Sequence, residues 1–264
     1  METILQGEGW EKGCNQLLEM MGNAAAVTDR SFAVPDGVNN GQYGAGIVID
    51  FFGLAGKYSG FPVDFVYPSM TSVVPANIAL IAGGKNPDEA KKFMAFSMST
   101  EGQQLLFDPK ISRLPILPYS QLKAPAGYPD PQEVAKRAKV QFDANLSEAR
   151  YQVVTSLFDQ MVTFRLKELQ GATKAIQDAE KALKAKPNAR GSDLVKQARA
   201  LAYTPLVGAE NVKNEQFLEL FRKSRRDVEV SKQLSGQEQL WANKARENYA
   251  RAQQLATEAR GLAK

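Results

Sequence analysis

The residues best suited to chemistry lie between Thr28 and Tyr67. Arg30 and Ser31 stand where an apolar run, Ala24–Thr28, gives way to a short helix begun by Pro35. At a strand-to-helix turn, backbone N–H groups and a hydroxyl can receive a phosphate or carboxylate. Arg30 can hold the same anion through two parallel hydrogen bonds. Asp50 follows a second apolar run, Ala45–Ile49, and can accept bonds from ligand hydroxyls or an amine. Each residue also has a plainer role: Ser31 as a helix cap, Arg30 as a solvated charge, Asp50 as the cap of a helix over Phe51–Tyr58. Thr28 belongs with this group. Tyr67, with Ser69 and Thr71, is a weaker candidate, for which packing or a turn suffices.

Composition removes whole classes of function. The 264 residues include no histidine and one cysteine, Cys14. The commonest general base, the Ser-His and Cys-His pairs and the usual zinc ligands are therefore missing together. No enzyme activity, metal or cofactor is expected. Gly44-x-Gly46 has no third glycine and opens no helix, so it is not a nucleotide-binding loop. Cys14 fits a half-buried helix position better than a reactive thiol. No window reaches ~18 uninterrupted apolar residues, the length of a membrane-spanning helix, and the first residues lack the basic-then-apolar order of a signal peptide.

The elements that must position these side chains fall into two kinds. Residues 1–131 carry 9 Lys+Arg against 13 Asp+Glu, with 11 of the 13 prolines and 15 of the 20 glycines. Residues 132–264 carry 24 Lys+Arg against 16 Asp+Glu. In the first part, helix is expected over 3–21 with a break near Trp10, then at Pro35–Val38 and Phe51–Tyr58. Buried strands are expected at Ala24–Thr28, Ala45–Ile49, Pro62–Tyr67 and Val73–Ile81. Asn86-Pro87-Asp88-Glu89 is a strong helix start, and Ser99 or Thr100 caps a following helix. Alternating strands and helices make this half α/β.

Residues 119–131 are proline-rich and read as a linker. Beyond them Leu146, Ala149, Val153, Leu157 and Met161 mark one face of a helix. Three or four helices are expected, at about 132–186, 192–202, 211–234 and 236–262. Basic residues there alternate with acids at helical spacing and stacking aromatics are sparse, so no nucleic-acid partner is expected. Ser224-Arg225-Arg226-Asp227 is too short for more than a weak anion patch.

Arg30-Ser31-Phe32-Ala33-Val34-Pro35-Asp36-Gly37-Val38, Gly44–Phe52, Asn86–Phe93 and Ser99-Thr100-Glu101-Gly102-Gln103-Gln104 together resemble the extracytoplasmic solute-binding proteins of bacterial ABC transporters. The likeness is to the branch of ferric-iron, phosphonate and phosphoglycerate binders, and covers about residues 1–118. It implies a partial periplasmic-binding α/β lobe at 1–118, a linker at 119–131 and an all-α helical C-terminal extension at 132–264. It also implies that the chain begins within the second lobe of a two-lobed clamp. The ligand-binding set would be Arg30, Ser31, Asp50, Thr28 and Tyr67, holding a small anionic solute such as a phosphorylated acid, sugar phosphate or phosphonate. Iron-binding relatives place two adjacent tyrosines where this chain has Phe51-Phe52, which argues against bare ferric iron. The implied partner is a membrane permease of an ABC transporter. The alternative is a periplasmic sensing protein that signals to a membrane sensor kinase, with the helical extension as its contact surface.

Overall fold

The computed structural model describes residues 1–223 and 227–263, so Ser224, Arg225 and Arg226 of the basic tetrad lie outside the described residues. The helices are α1 (Glu2–Glu8), α2 (Trp10–Gly22), α3 (Ala33–Asn39), α4 (Asp50–Tyr58), α5 (Pro87–Ser97), α6 (Thr100–Gln104), α7 (Pro131–Arg137), α8 (Ala144–Met161), α9 (Leu166–Ala185), α10 (Ala189–Tyr203), α11 (Glu215–Lys223) and α12 (Val228–Leu262). They form two compact units, one of residues 1–27 with 143–264 and one of residues 28–142.

The described residues contain no β-strand, which overturns the expected α/β lobe. The four apolar runs read as strands are irregular and largely open to solvent. Ile47 is 72% exposed, Val66 76% and Ile81 82%. A buried strand needs a hydrogen-bonded neighbour on each side and cover on both faces. These runs find neither, so apolar composition alone does not make them strands.

The first unit is a helical bundle built on small residues. Ala172 and Ala179 of α9, Ala198 and Ala202 of α10, and Ala245, Ala252, Ala256 and Ala259 of α12 are all fully buried. Alanine at a contact lets helix axes approach toward the low end of the ordinary range, about 8 Å. Between these layers sit Leu169, Ile176, Val195, Tyr203, Trp241, Tyr249 and Leu255. The two buried tyrosines both have partners for their hydroxyls: Tyr203 meets Thr173 Oγ1 at 3.1 Å, and Tyr249 donates to the Met161 carbonyl at 2.8 Å.

The expected boundary at residue 118 also differs from this division, because α1 and α2 belong to the bundle. Trp10, Cys14, Leu17 and Leu18 are buried in its core, and the Trp10 indole donates to the Val207 carbonyl at 2.6 Å. Gly22 is needed where α2 meets α9, since a Cβ there would overlap the Thr173 side chain. Arg150 of α8 closes the arrangement from the opposite end of the sequence. Its Nε and Nη2 each donate to the Glu2 carboxylate at 2.8 Å, and the guanidinium lies over the Trp10 ring. Both side chains are nearly sealed from water, at 7% and 12% exposure. Gln6 makes a second tie, exchanging hydrogen bonds with the backbone of Asp143 at 3.0 and 2.7 Å. Asp143 in turn caps α8 by accepting from Leu146 N.

The long helices follow their caps more closely than the expected ranges. The 132–186 segment is α7, α8 and α9, parted at 138–143 and 162–165. Asn188 caps α10 through Gly191 N. Ser235-Gly236, expected to stop a helix, lies inside the 35-residue α12. A single glycine in a helix interior costs only about 1 kcal/mol, which a long buried face outweighs.

Replacing Arg150 by Met should lower the unfolding free energy by about 3–5 kcal/mol, because Glu2 is left as a buried carboxylate without its cation. Adding Glu2→Gln should recover part of that loss in urea denaturation. Cys14 gives a second check. Burial pushes its thiol up from 9.0 to about 12, so the folded chain keeps this proton while the unfolded chain releases it. Stability should therefore fall as pH rises through that window, and Cys14 should react with a thiol reagent at neutral pH only on unfolding.

Candidate functional site

In the unit of residues 28–142, the chemistry gathers around the start of α4. Asp50 is the first residue of that helix rather than its cap, and its Oδ1 accepts from Phe51 N at 2.8 Å. Its Oδ2 accepts from the Tyr67 hydroxyl at 3.0 Å. A carboxylate has about four lone-pair sites, so Asp50 retains acceptor capacity. Burial pushes the Tyr67 hydroxyl well above its ordinary 10.0, and the negative charge of Asp50 pushes it the same way. Tyr67 therefore serves as a hydrogen-bond donor at any ordinary pH. Of the five expected ligand residues, the structure joins these two.

Thr28, Arg30 and Ser31 occupy an exposed turn of their own. The Thr28 hydroxyl donates to the Arg30 carbonyl at 3.0 Å, and the same carbonyl accepts from Ala33 N at 3.1 Å. Arg30 and Ser31 side chains are exposed. Ser31 does not cap α3, whose cap position is Phe32 with no side-chain bond. No hydrogen bond or ion pair links Arg30 or Ser31 to Asp50 among the described residues.

A residue the sequence did not single out rests instead on Phe51, the residue that follows Asp50. The Arg113 guanidinium lies on the Phe51 ring, 3.2 Å from its centroid. Its place is set by a tight turn. Asp108 accepts through its carbonyl from Ile111 N and Ser112 N, both at 2.8 Å, and through Oδ1 from Lys110 N. Ser112 is fully buried and is the one non-glycine in the left-handed region among the described residues, at φ 50°. Such a conformation costs of order 1 kcal/mol or more and persists only where the surroundings enforce it. The Arg113 backbone is pinned on both sides, its N–H donating to Leu106 O at 2.9 Å and its carbonyl accepting from the Tyr128 hydroxyl at 3.3 Å.

Beneath this turn is an aromatic node. Leu54, Phe107 and Tyr128 are its buried core, with Tyr58, Phe65, Leu114 and Tyr119 packed around. Phe107 meets Tyr128 and Tyr119 edge-on, at 5.1 and 5.5 Å between centroids. Burial pushes the Tyr128 hydroxyl up to about 12; the Asp50 charge adds to that rise, while the positive charge of Arg113 pulls the other way. Asp50 and Arg113 thus act on the same hydroxyl. Residues 119–131, expected as a linker, supply Tyr119 and Tyr128 to this node. The Ser-Thr-Glu-Gly-Gln-Gln segment buttresses it: Ser99 caps α6 as expected, and Gln103 bridges Ser97 O and Ile116 N, both at 2.7 Å. Among the described residues no three His, Cys, Asp or Glu side chains stand together as a metal site.

The site therefore offers an acceptor at Asp50, a donor at Tyr67 and a planar cation on the neighbouring Phe51 ring. No family model matches the chain, and no solved structure matches it. Two curated proteins, the phosphoglycerate transport regulatory proteins PgtC of Salmonella typhimurium (strain LT2) and of Salmonella typhi, are each 32% identical over 185 residues, covering 70% of this chain. The chain spans 45% of the length of these relatives.

Asp50→Asn removes the charge that raises Tyr67 but leaves its burial. An ultraviolet difference titration should then show one tyrosine ionising closer to its ordinary value than in the parent chain. An unchanged titration would separate Asp50 from Tyr67 in solution.

Proposed function

We propose that the chain is the regulatory part of an uptake system for a small organic anion of the phosphoglycerate type. In this reading it senses the solute on the extracytoplasmic side and passes its occupancy to a membrane sensor kinase, with no covalent chemistry. The observation that carries the proposal is the 32% identity over 185 residues to two proteins named for regulating phosphoglycerate transport. The structure is compatible in two respects. The node at Asp50 and Arg113 has the polarity for an anion that also bears a hydroxyl. The helical bundle leaves Val228 72% and Leu240 63% exposed in the first half of α12, apolar side chains that a partner could cover.

Regulation and transport separate in one experiment. In the native host, deleting the gene should abolish phosphoglycerate-induced expression of the uptake permease, and the restored gene should return it. If induction persists while uptake falls at a constant permease level, the protein is instead a carrier of solute to the permease.

A further inference from the structure

We propose that Arg113 is the anion-holding residue of the 28–142 unit, and that Asp50 selects among anions by accepting a hydrogen bond from a hydroxyl they carry. The ligand class is a small organic phosphate or carboxylate with a neighbouring hydroxyl. This deepens the regulatory reading, on which it rests only for the choice of probe.

Three observations support Arg113. First, its cation is unspent. Nη1 donates to the Ile111 carbonyl at 2.9 Å, and no carboxylate pairs with the side chain among the described residues. By contrast Arg150, Arg199 and Arg222 each hold one or two carboxylates. Second, it is held in place before any ligand arrives. The Phe51 face fixes the guanidinium plane, and the left-handed Ser112, the Leu106 carbonyl and the Tyr128 hydroxyl fix the backbone. A planar fork positioned in this way loses little side-chain freedom when it takes an oxyanion through two parallel bonds. Third, its neighbourhood is divided by role. Phe51, whose ring carries Arg113, follows directly on Asp50, whose two oxygens are each occupied by only one donor. The Tyr128 hydroxyl feels both charges, Asp50 raising it and Arg113 lowering it, so an anion on Arg113 would be repelled by Asp50 unless it brought a donor to that carboxylate. Inorganic anions without a proton to give are thereby disfavoured, and hydroxy acids and their phosphates favoured.

The test is titration calorimetry on the 264-residue chain in low-chloride buffer, with 3-phosphoglycerate, sulfate and glycerol as probes. The parent should bind 3-phosphoglycerate more tightly than sulfate and should not bind glycerol. Arg113→Met should weaken both anions at least tenfold, and Arg113→Lys should retain part of the affinity, since the charge remains but the planar fork is lost. Asp50→Asn should weaken 3-phosphoglycerate while leaving sulfate unchanged or tighter. Near-ultraviolet circular dichroism of the Tyr119–Tyr128 node verifies that each variant keeps its fold. Equal anion binding by the parent and Arg113→Met overturns the assignment, as does no anion binding by the folded parent. Either result leaves the induction experiment, and hence the regulatory reading, to stand or fall independently.

Discussion

A buried ion pair between Glu2 and Arg150 holds together what the sequence separates by more than half its length. Neither charge has water to fall back on, so the pair is stable only while α1, α2 and α8 remain packed around it. Trp10 depends on the same arrangement, because its ring lies beneath Arg150 and its indole nitrogen reaches Val207. The N-terminal helices are thus part of the bundle core, and the 28–142 segment is an insertion between two parts of one unit.

The inserted unit is organised differently. Its one hydrophobic cluster among the described residues is Leu54, Phe107 and Tyr128 with partly buried neighbours such as Tyr58, Phe65 and Tyr119, too little apolar burial to fix a site by packing alone. Hydrogen bonds do that work: Asp108 folds the turn, Gln103 and Gln104 each bridge two backbone groups, and Tyr128 reaches back to Arg113. The side-chain amides stand in for the strand ladder that the segment lacks. An anion site placed here is positioned by polar contacts, with one arginine resting on one phenylalanine.

What was legible in the sequence was local. Asn86-Pro87 opens α5, Ser99 caps α6, and helix follows Asp50, because caps and first-turn residues act within four positions of themselves. The Val153, Leu157, Met161 stripe is buried as its spacing implied. That the apolar runs form no strands was not legible, because a ladder depends on a partner that Ala45–Ile49 does not have. The same distance problem hid Arg113: nothing beside it in sequence announces Phe51, and the left-handed backbone before it falls on a serine rather than the glycine that would have drawn notice. Asp50 and Tyr67 were each identified, but not as hydrogen-bonded partners. Arg30 and Ser31 sit at a turn as read, though it is separate from theirs.

The exchange of hydrogen bonds between Gln6 and Asp143 lies where the chain re-enters the bundle, and Asp143 is also the residue from which α8 starts. Both ends of the insertion are consequently anchored in one body by contacts that do not need the intervening chain to be continuous. A protease nick anywhere in the exposed runs near Ile47, Val66 or Ile81 would yield two pieces on a denaturing gel. In native buffer they should still migrate as one particle, the short N-terminal piece retained by Leu5, Trp10, Leu17 and the Glu2–Arg150 pair. The molecule is in this sense already a two-part assembly that happens to be joined by peptide bonds.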